Sequence, residues 1–290
     1  MEIDKKIGVI GLGAVGSAFK HVSEYFYKDV VGYDIKGKYD WSKILKCDII
    51  FICVPTPEGA NGRLDCIQVD LTLEHLLKDG YTGIIAIKST VRVGFMDHAT
   101  QRYPHLRLVY CPEFMREKSK LQWTANPDRI VLAGDDDDVE AVKNILSWAE
   151  DAKIIVTNYR SAEIGKLAHN AFIATKVSFT NEIEEICSEL GGNPSDVMNV
   201  VTSDRRVVST EHLKPHLGPF GGKCVPKDTR ELINASSSAI LLKAVEEVNK
   251  KALEKCKAFS PNISSRMNET TTHVNNVEKT KNLTTASIHG

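Results

Sequence analysis

Short apolar runs alternate with amphipathic stretches of helical length through the first half of the chain. Each run is bounded by Gly, Pro or Asp, and the runs occupy residues 7–10, 30–34, 48–54, 83–88, 107–110, 129–133 and 153–157. Short apolar runs separated by helices are typical of buried strands in a parallel sheet that is covered on both faces. The pattern therefore predicts an α/β, doubly wound domain over residues 1–157.

Helical periodicity without strand signals follows. Residues 161–190 predict one long helix, because no proline interrupts them and a Gly-Gly pair follows directly, with a proline shortly after it. Shorter helical patterns cover 195–201, 228–235 and 239–255. We expect a helical central domain over residues 158–255.

The composition changes again near the end of the chain. Ser, Thr and Asn dominate from residue 260 onward, and apolar residues show almost no periodicity there. Such a segment buries too little apolar surface to fold on its own. We expect residues 256–290 to form a polar, disordered tail.

Charge and composition narrow the function classes. The chain of 290 residues has a formal net charge of -1 and 42% hydrophobic residues, so it lacks the excess of positive charge typical of nucleic-acid binding. The first residues run straight into a predicted strand without the features of a signal peptide, and no apolar run is long enough to span a membrane. These features predict a cytoplasmic protein that binds neither nucleic acid nor membrane.

The cysteines indicate neither a disulfide framework nor a metal site. They are seven in number, scattered, and nowhere spaced as Cys-x-x-Cys. We therefore predict that most are reduced core residues and that no metal is bound.

A glycine motif follows the first predicted strand. Gly11, Gly13 and Gly16 match Gly-x-Gly-x-x-Gly at the opening of a helix, where they allow a tight turn, close approach of a pyrophosphate, and close helix–strand packing. The helix N-terminus supplies amide donors to the phosphates. Asp34 ends the second strand at the position that binds a ribose hydroxyl, which favours NAD over NADP. We predict a Rossmann-type NAD site.

Polar residues follow later strands at the edge where open α/β sheets bind ligands. Val54, Pro55 and Thr56 follow one strand, and Thr90 follows the next. Glu113 and Glu117 come after a further strand and are one helical turn apart, so they are either a solvated pair or catalytic carboxylates.

The long predicted helix carries a polar stripe. Lys166 and Asn170 are four residues apart and Asn181 lies eleven further on, so the three side chains share one face. This stripe is either solvated or faces a ligand.

The segment FGGKCVPKD contains a candidate nucleophile. Cys224 follows a glycine pair that would let a substrate approach the backbone, and Lys223 and Lys227 offer positive charge beside the thiol. An inert, buried thiol is the alternative.

Seven motifs, in this order, together resemble the UDP-glucose/GDP-mannose dehydrogenase family. The likeness runs from about Ile7 to Lys251 through GLGAVG, VPTP, KSTV, PEFMRE, PDRIVLAG, AEIGKLAHNAFIATKVSFTNE and FGGKCVPKD. The resemblance implies an α/β Rossmann-type domain followed by a helical dimerisation domain. It also implies oxidation of the C6 alcohol of a nucleotide sugar, such as UDP-glucose, to a uronic acid with two NAD per sugar.

The resemblance also implies residue roles. Cys224 would form a thiohemiacetal and then a thioester. Lys166 would stabilise the oxyanion while Asn170 orients the substrate. Asp228 and Thr90 would hold the hydrolytic water, and Glu113 would act as general base.

Binding roles follow from the same resemblance. The expected NAD contacts are Gly11, Gly13, Val15, Gly16, Asp34, Val54, Pro55, Thr56, Thr90, Glu117 and Lys227. The expected substrate contacts are Glu113, Phe114, Met115, Arg116, Lys166, Asn170, Arg206, Phe220, Gly221 and Gly222. Arg206 would reach the sugar nucleotide across a homodimer interface formed by the helix at 239–255.

The chain departs from the family pattern at two levels. Pro219, Lys223 and Val225 replace the glycine, serine and phenylalanine of the usual GFGGSCFPKD. The family also continues past the central helix into a second α/β domain that binds the nucleotide, whereas this chain continues as a polar segment. An alternative function is therefore a catalytically impaired NAD-binding subunit that requires a separate nucleotide-binding chain.

Overall fold

The computed structural model describes residues 5–207 and 209–259, apart from the side chains of Glu117, Ala258 and Phe259. The strands in this part of the chain are β1 (Ile7–Ile10), β2 (Val30–Tyr33), β3 (Ile49–Ile52), β4 (Ile84–Ile87), β5 (Arg107–Tyr110), β6 (Arg129–Leu132) and β7 (Lys153–Val156). The helices between them are α1 (Ala14–Phe26), α2 (Trp41–Ile44), α3 (Ile67–Lys78), α4 (Phe95–Arg102), α5 (Lys120–Ala125) and α6 (Asp136–Ile145). A short 3-10 helix, Glu117–Ser119, precedes α5.

Four helices follow the last strand: α7 (Tyr159–Leu190), α8 (Pro194–Thr202), α9 (Val225–Ala235) and α10 (Ile240–Phe259). The long helix predicted at 161–190 is confirmed. Helix α9 begins three residues before its predicted start. Residues 256–259, predicted as part of the tail, are helical, and the rest of that predicted tail lies outside the described residues.

Five of the strands form one parallel sheet in the order β2-β1-β3-β4-β5. The order reverses at β1, where β2 lies on one side and β3 on the other, which makes the carboxyl end of β1 a switch point for ligand binding. Strands β6 and β7 form a separate parallel pair. A single antiparallel bridge connects this pair to β5, with Tyr110 N donating to Ala133 O at 2.8 Å and Ala133 N donating to Tyr110 O at 3.0 Å.

Burial on both faces of the sheet explains the near-continuous apolar runs. Side chains on one face, including Val9 and Phe51, pack with Phe19 of α1, whereas Ile50 and Ile52 belong to a cluster on the opposite face. A strand that is buried on both faces has no position left for a polar side chain. This covered, parallel arrangement confirms the predicted Rossmann-type class.

The chain divides into two compact units. The first extends to Ile173 and also contains Gly221–Ile240, and the second contains Ala174–Phe220 and the chain from Leu241 onward. The domain boundary predicted at residues 157 and 158 marks the change from strands to helices. The observed division instead follows contacts between segments. As a result the segment with Cys224 belongs to the same unit as the sheet.

A buried carboxylate orients the start of α7 in the first unit. Glu163 has no solvent exposure, and its two oxygens accept hydrogen bonds from the backbone of Gly94 at 2.6 Å and Met96 at 2.7 Å. These amides lie at the N-terminus of α4, where a carboxylate is favoured. Burial raises the pKa of Glu163 even though both amides act to lower it.

Three polar residues of α9 hold this helix on the loop that follows β3. Glu231, also without solvent exposure, accepts from Leu64 N at 2.7 Å and from Arg63 at 3.1 Å. Arg230 donates to both carboxylate oxygens of Glu58 at 2.6 Å. Asn234 donates to Asn61 O at 2.9 Å. The helix that follows Cys224 is therefore fixed to the sheet-containing unit.

The second unit is helical in its described part. Ser178 of α7 donates to Val245 O of α10 at 3.1 Å, and Asn181 donates to Gly218 O at 3.1 Å. Asn249 of α10 accepts from Phe220 N at 2.8 Å and donates to Phe220 O at 3.2 Å. Across the described residues, every helix is too short or too polar to cross a membrane.

We predict that the Glu231→Ala variant loses about 2–3 kcal/mol of unfolding free energy, because Leu64 N is left buried without an acceptor. Asn234→Ala is the matched control on the same helix. It removes one exposed hydrogen bond and should lose less than about 1 kcal/mol. Urea unfolding followed by circular dichroism compares the two. Equal losses would mean that the Glu231 contact does not fix α9.

Candidate active site

The glycine turn after β1 has the geometry of a phosphate-binding loop. Gly11 has φ +88°, and a Cβ there would lie 2.8 Å from the carbonyl group of Cys53. A Cβ on Gly16 would lie 1.9 Å from Gly11 O, whereas one on Gly13 would have no neighbour within 4 Å. Two glycines are therefore required by packing, and the third leaves open space beside the backbone.

That open space lies at the N-terminus of α1. Gly13 is the N-cap of the helix and no side chain caps the terminus, so the first-turn amides, including that of Val15, remain available to an anion. This uncapped, positively polarised turn fits the pyrophosphate of a dinucleotide.

Asp34 follows β2 and contacts the same turn. Its carboxylate accepts from Lys36 N at 2.9 Å and from Leu12 N at 2.8 Å, and these two amides hold the pKa of Asp34 below its usual value. The carboxylate therefore stays ionised, and it keeps lone pairs for a ribose hydroxyl. The bond to Leu12 also fixes the glycine turn, a role that sequence reasoning missed.

The loops after β3 and β4 are bonded to each other. Thr56 donates to Thr90 O at 2.7 Å, and Ser89 donates to Val54 O at 2.7 Å. Pro55, between the two bonded positions, is exposed. The structure thus brings together four predicted cofactor residues along the carboxyl edge of the sheet.

Glu113, in the loop after β5, forms a largely buried ion pair. Its Oε2 lies 2.9 Å from Lys88 Nζ, and its Oε1 accepts from Phe114 N at 3.0 Å and Met115 N at 3.1 Å. The solvated alternative is therefore wrong for Glu113. Lys88 was missed by sequence reasoning, although it opens the KSTV motif and a lysine at the end of a buried strand needs a partner.

The ring of Phe114 lies among cations. Lys166 Nζ is 5.0 Å from the ring centroid and Arg129 Cζ is 4.1 Å from it, both within the range of cation–π attraction. Arg116 lies over the ring of Trp123 at 4.8 Å. The side chain of Glu117, a predicted cofactor residue, lies outside the described part of the structure.

The polar stripe on α7 is buried. Lys166 is 7% exposed, and Asn170 and Asn181 are equally covered, so the solvated alternative is wrong. Burial lowers the pKa of Lys166, although Asp228, Cys224 and Glu113 act in the opposite direction. An ammonium group with this pKa is a better proton donor than an exposed lysine.

Asp228 joins α7 to α9. Its carboxylate has no solvent exposure and accepts from Asn170 Nδ2 at 2.5 Å and from Lys227 Nζ at 2.7 Å. Within the described contacts, the backbone carbonyl of Thr90 accepts from Thr56, and no bond joins Thr90 to Asp228. The predicted water ligand is thus bonded to two polar side chains, Asn170 and Lys227, and its charge also acts to raise the pKa of Lys166.

Cys224 is exposed and is the N-cap of α9. An inert buried thiol is therefore wrong for this residue, although it describes the cysteines at 47, 53, 66, 111 and 187. Gly221 and Gly222 are also exposed, and a Cβ on either would have no neighbour within 4 Å. A negative charge on Cys224 would raise the pKa of Lys166, as the charges of Asp228 and Glu113 do.

Two predicted substrate residues belong to the second unit. Arg206 is exposed and its guanidinium bonds to the carboxylate of Asp204, with Nε 3.0 Å from both oxygens. Phe220 is held by Asn249 through its backbone. Asn249, on α10, is a further positioning residue that the sequence pattern did not indicate.

The first unit therefore combines an accessible thiol, a buried lysine and two carboxylates with a parallel sheet whose glycine turn can hold a phosphate group. A thiol can add to a carbonyl carbon, an ammonium group can stabilise the resulting oxyanion, and a carboxylate can take a proton from water. This set of groups suits covalent chemistry on an aldehyde or acyl group.

Two segments of the chain match domains of one family. Residues 36–149 match the NAD binding domain of the UDP-glucose/GDP-mannose dehydrogenase family, and residues 160–251 match its central domain. Together the two segments cover more than half of the sequence.

Individual relatives agree with this match. UDP-glucose 6-dehydrogenase TuaD of Bacillus subtilis is 38% identical over 225 residues, which cover 72% of this chain and 48% of that protein. UDP-glucose 6-dehydrogenase of Rickettsia conorii is 34% identical over 222 residues, which cover 72% of this chain and 50% of that protein. The chain spans about half the length of these curated relatives.

A solved UDP-glucose dehydrogenase from Pyrobaculum islandicum superposes with a TM-score of 0.78 at 26% identity, covering 86% of this chain and 69% of that one. The 3-hydroxyisobutyrate dehydrogenase of Mycobacterium tuberculosis superposes with a TM-score of 0.66 at 14% identity, over 86% of this chain and 94% of that one. The second likeness concerns the fold alone.

We predict that Gly13→Ala folds normally but weakens NAD binding about tenfold, since the new methyl group enters the open space beside the turn. Gly16→Ala is the matched comparison, and its methyl group collides with Gly11 O, so it should lower the melting temperature. Calorimetric titration with NAD and thermal unfolding measure the two effects. A Gly13→Ala variant that binds NAD as tightly as the wild type would contradict the assignment.

Proposed function

We propose that this chain, which belongs to the UDP-glucose/GDP-mannose dehydrogenase family, is an NAD-dependent nucleotide-sugar 6-dehydrogenase that acts through Cys224. The observation that carries the proposal is the position of this exposed thiol. Cys224 is the N-cap residue of α9 and belongs to the same compact unit as the glycine turn, Lys166 and Asp228. The relatives named above are UDP-glucose 6-dehydrogenases, which favours UDP-glucose as the substrate.

The cofactor would bind along the carboxyl edge of the sheet. The glycine turn and the α1 terminus fit its pyrophosphate, and Asp34 fits a ribose hydroxyl. NAD supplies the acceptor for the hydride in each oxidation. The remaining contacts are proposed for Val15, Val54, Pro55, Thr56, Thr90, Glu117 and Lys227.

The thiol of Cys224 divides the oxidation into two stages. After the C6 alcohol has lost a hydride and a proton, the Cys224 sulfur bonds to the aldehyde carbon and the oxygen takes a proton, giving a thiohemiacetal. A second hydride and a proton then leave, giving a thioester. Lys166, buried and cationic, stabilises the oxyanion at each stage, and Asn170 orients the substrate.

Hydrolysis releases the product. Glu113 takes a proton from a water molecule that Asp228 and Thr90 orient, the water oxygen bonds to the acyl carbon, and the carbon–sulfur bond breaks. One alcohol, one water and two NAD⁺ thus give one carboxylate, two NADH and three protons. The sugar contacts are proposed for Phe114, Met115, Arg116, Arg206, Phe220, Gly221 and Gly222, together with Glu113, Lys166 and Asn170.

A homodimer in the cytoplasm is the proposed working state, and its interface is proposed to include α7 as well as α10, the helix that the family likeness indicates. Phe179, Ile186 and Leu190 of α7 are exposed and recur at spacings of seven and four residues, so they form one apolar stripe on the second unit. A stripe of this kind is typical of a helix that packs against a partner. Every one of the seven cysteines is free, which agrees with a reducing compartment.

A second candidate function is an NAD-binding subunit that needs a separate chain to bind the nucleotide. The observation that favours it is the length of the match, since this chain aligns with only about half of the length of each of these curated relatives. In that case the purified chain would bind NAD but would oxidise nucleotide sugars only after the second chain is added.

We predict that Cys224→Ser abolishes uronate formation, by at least about a thousandfold, and leaves NAD affinity unchanged, because serine cannot form the thioester. Assays with UDP- and GDP-sugars would follow both NADH and the acid. Cys256→Ser, at the other exposed cysteine, is the control and should keep full activity. Unchanged uronate production by Cys224→Ser would contradict the mechanism.

The number of NADH molecules per sugar separates the candidates. Two NADH from the purified chain support the proposed function, and one NADH with accumulating aldehyde indicates a simple alcohol dehydrogenase. No NADH, together with NAD binding, supports the subunit.

We predict that Ile186→Asp weakens the dimer at least about a hundredfold, because a carboxylate then lies in the centre of the apolar stripe. Leu71→Asp, at an exposed leucine of α3, is the control and should leave the dimer intact. Light scattering on a dilution series measures both. A monomeric wild type would contradict the proposed state.

A further inference from the structure

Lys88 is a buried cation at the carboxyl end of β4. Its side chain is 6% exposed, its Nζ lies 2.9 Å from Glu113 Oε2, and it also lies 5.0 Å from the centroid of the Phe19 ring. Burial acts against the charge and is the largest single influence, but the charge and hydrogen bond of Glu113, together with Cys111 and Cys53, raise the pKa of Lys88 above its usual value. The ammonium group therefore remains charged at every pH at which an enzyme of this class would work.

A small cavity adjoins this ion pair. It has a volume of about 30 Å³, and Phe19, Lys88, Glu113 and Thr124 are among the residues that line it. The hydroxyl of Thr124 is buried and has no hydrogen-bond partner among the described residues. The cavity is large enough for one water molecule, and the site offers that water a hydroxyl and a charged donor.

The other groups that face Glu113 cannot replace Lys88. Lys166, from α7, is a cation whose pKa is lowered by burial. The thiols of Cys53 and Cys111 follow β3 and β5, and burial raises the pKa of each, to about 12 for Cys53, so both are neutral. Arg129 lines the same cavity and lies over the Phe114 ring. Lys88 is the cation that contacts the Glu113 carboxylate directly among the described residues.

We propose that Lys88 is a positioning residue for Glu113, and that a water molecule bridging Lys88 and Thr124 completes its setting. The proposal rests on the proposed function, in which Glu113 takes a proton from the hydrolytic water. Two backbone amides fix Oε1 and Lys88 fixes Oε2, so the carboxylate has one orientation. Lys88 acts through Glu113 and does not touch the substrate.

The first test compares Lys88→Met with Lys88→Arg. Lys88→Met should lower kcat for acid formation about tenfold near neutral pH, because Oε2 of Glu113 is no longer held in one orientation. It should also shift the acidic limb of the kcat profile upward by about one pH unit, because the cation that favours the ionised carboxylate is gone. KM for the nucleotide sugar should stay within about twofold. Lys88→Arg keeps the charge and should restore the wild-type profile.

The control is Lys143→Met. Lys143 also lies 2.9 Å from a carboxylate oxygen, that of Glu140, but this pair is exposed on α6. Its loss should leave the pH profile unchanged. The double variant Lys88→Met/Glu113→Gln removes both charges, so it leaves no buried charge unpaired. If Lys88→Met melts at a lower temperature than the double variant, the unpaired Glu113 destabilises the fold. If the two melt together, the loss of activity in Lys88→Met comes from lost positioning.

The second test does not depend on turnover. Carboxyl-¹³C glutamate labelling, with Glu113→Gln to assign the signal, follows the titration of Glu113 in the protein without substrate. Its midpoint should rise by about one pH unit in Lys88→Met and by less in Thr124→Val, which removes only the hydroxyl. If the wild type is inactive but the Glu113 titration still shifts in Lys88→Met, the proposed function alone is overturned. If the wild type is active and Lys88→Met has the same Glu113 titration and the same pH profile as the wild type, the role of Lys88 is overturned.

Discussion

The carboxylate of Asp228 has no exposure to solvent, and a buried charge is tolerated only where donors surround it. Asn170 of α7 and Lys227 of α9 supply these donors, so the charge requirement holds two helices from distant parts of the sequence at one point. Cys224 begins the helix that carries Asp228, one turn earlier. The position of the candidate nucleophile thus follows from the need to satisfy one carboxylate.

The same physical requirement recurs around the site. Glu163 accepts from the amides at the N-terminus of α4 and so orients α7. Glu231 holds α9 on the loop after β3, and Glu113 pairs with Lys88. Each is a carboxylate with little or no exposure whose oxygens accept from backbone amides or cations. Removing any one of these partners would leave a buried polar group unpaired, which costs more than the bond itself contributes. The first unit is therefore rigid where the proposed chemistry needs fixed groups.

Much of the fold could be predicted from the sequence because its strands are buried on both faces. Such strands appear as uninterrupted apolar runs, and each observed strand lies within a predicted run. Helix starts were less accurate, as at α9, because Pro226 lies at a helix N-terminus where proline is compatible with both a loop and a first turn. The antiparallel bridge between Tyr110 and Ala133, which connects the β6–β7 pair to β5, could not be predicted from the pattern of apolar residues.

The site was predictable in its residues but not in its network. Sequence spacing and family likeness indicated Cys224, Lys166, Asn170 and Asp228. No local pattern indicates Glu231, and although the position of Lys88 at the end of a buried strand requires a partner, that partner, Glu113, is distant in sequence. Burial also decided three open alternatives: it made the α7 stripe and Glu113 internal, and it left Cys224 exposed. A one-dimensional pattern carries little information on which polar residue is covered.

The order of segments along the chain has a consequence for biosynthesis. The chain leaves the first unit after Ile173 and returns to it at Gly221, and the bond from Leu64 N to Glu231 joins residues 167 positions apart. A ribosome-bound chain can complete all seven strands long before α9 has been synthesised, because local and sequential contacts form first. The sheet can therefore fold before the segment with Cys224 is attached to it. A nascent chain at that stage would have its glycine turn but would still lack its proposed nucleophile.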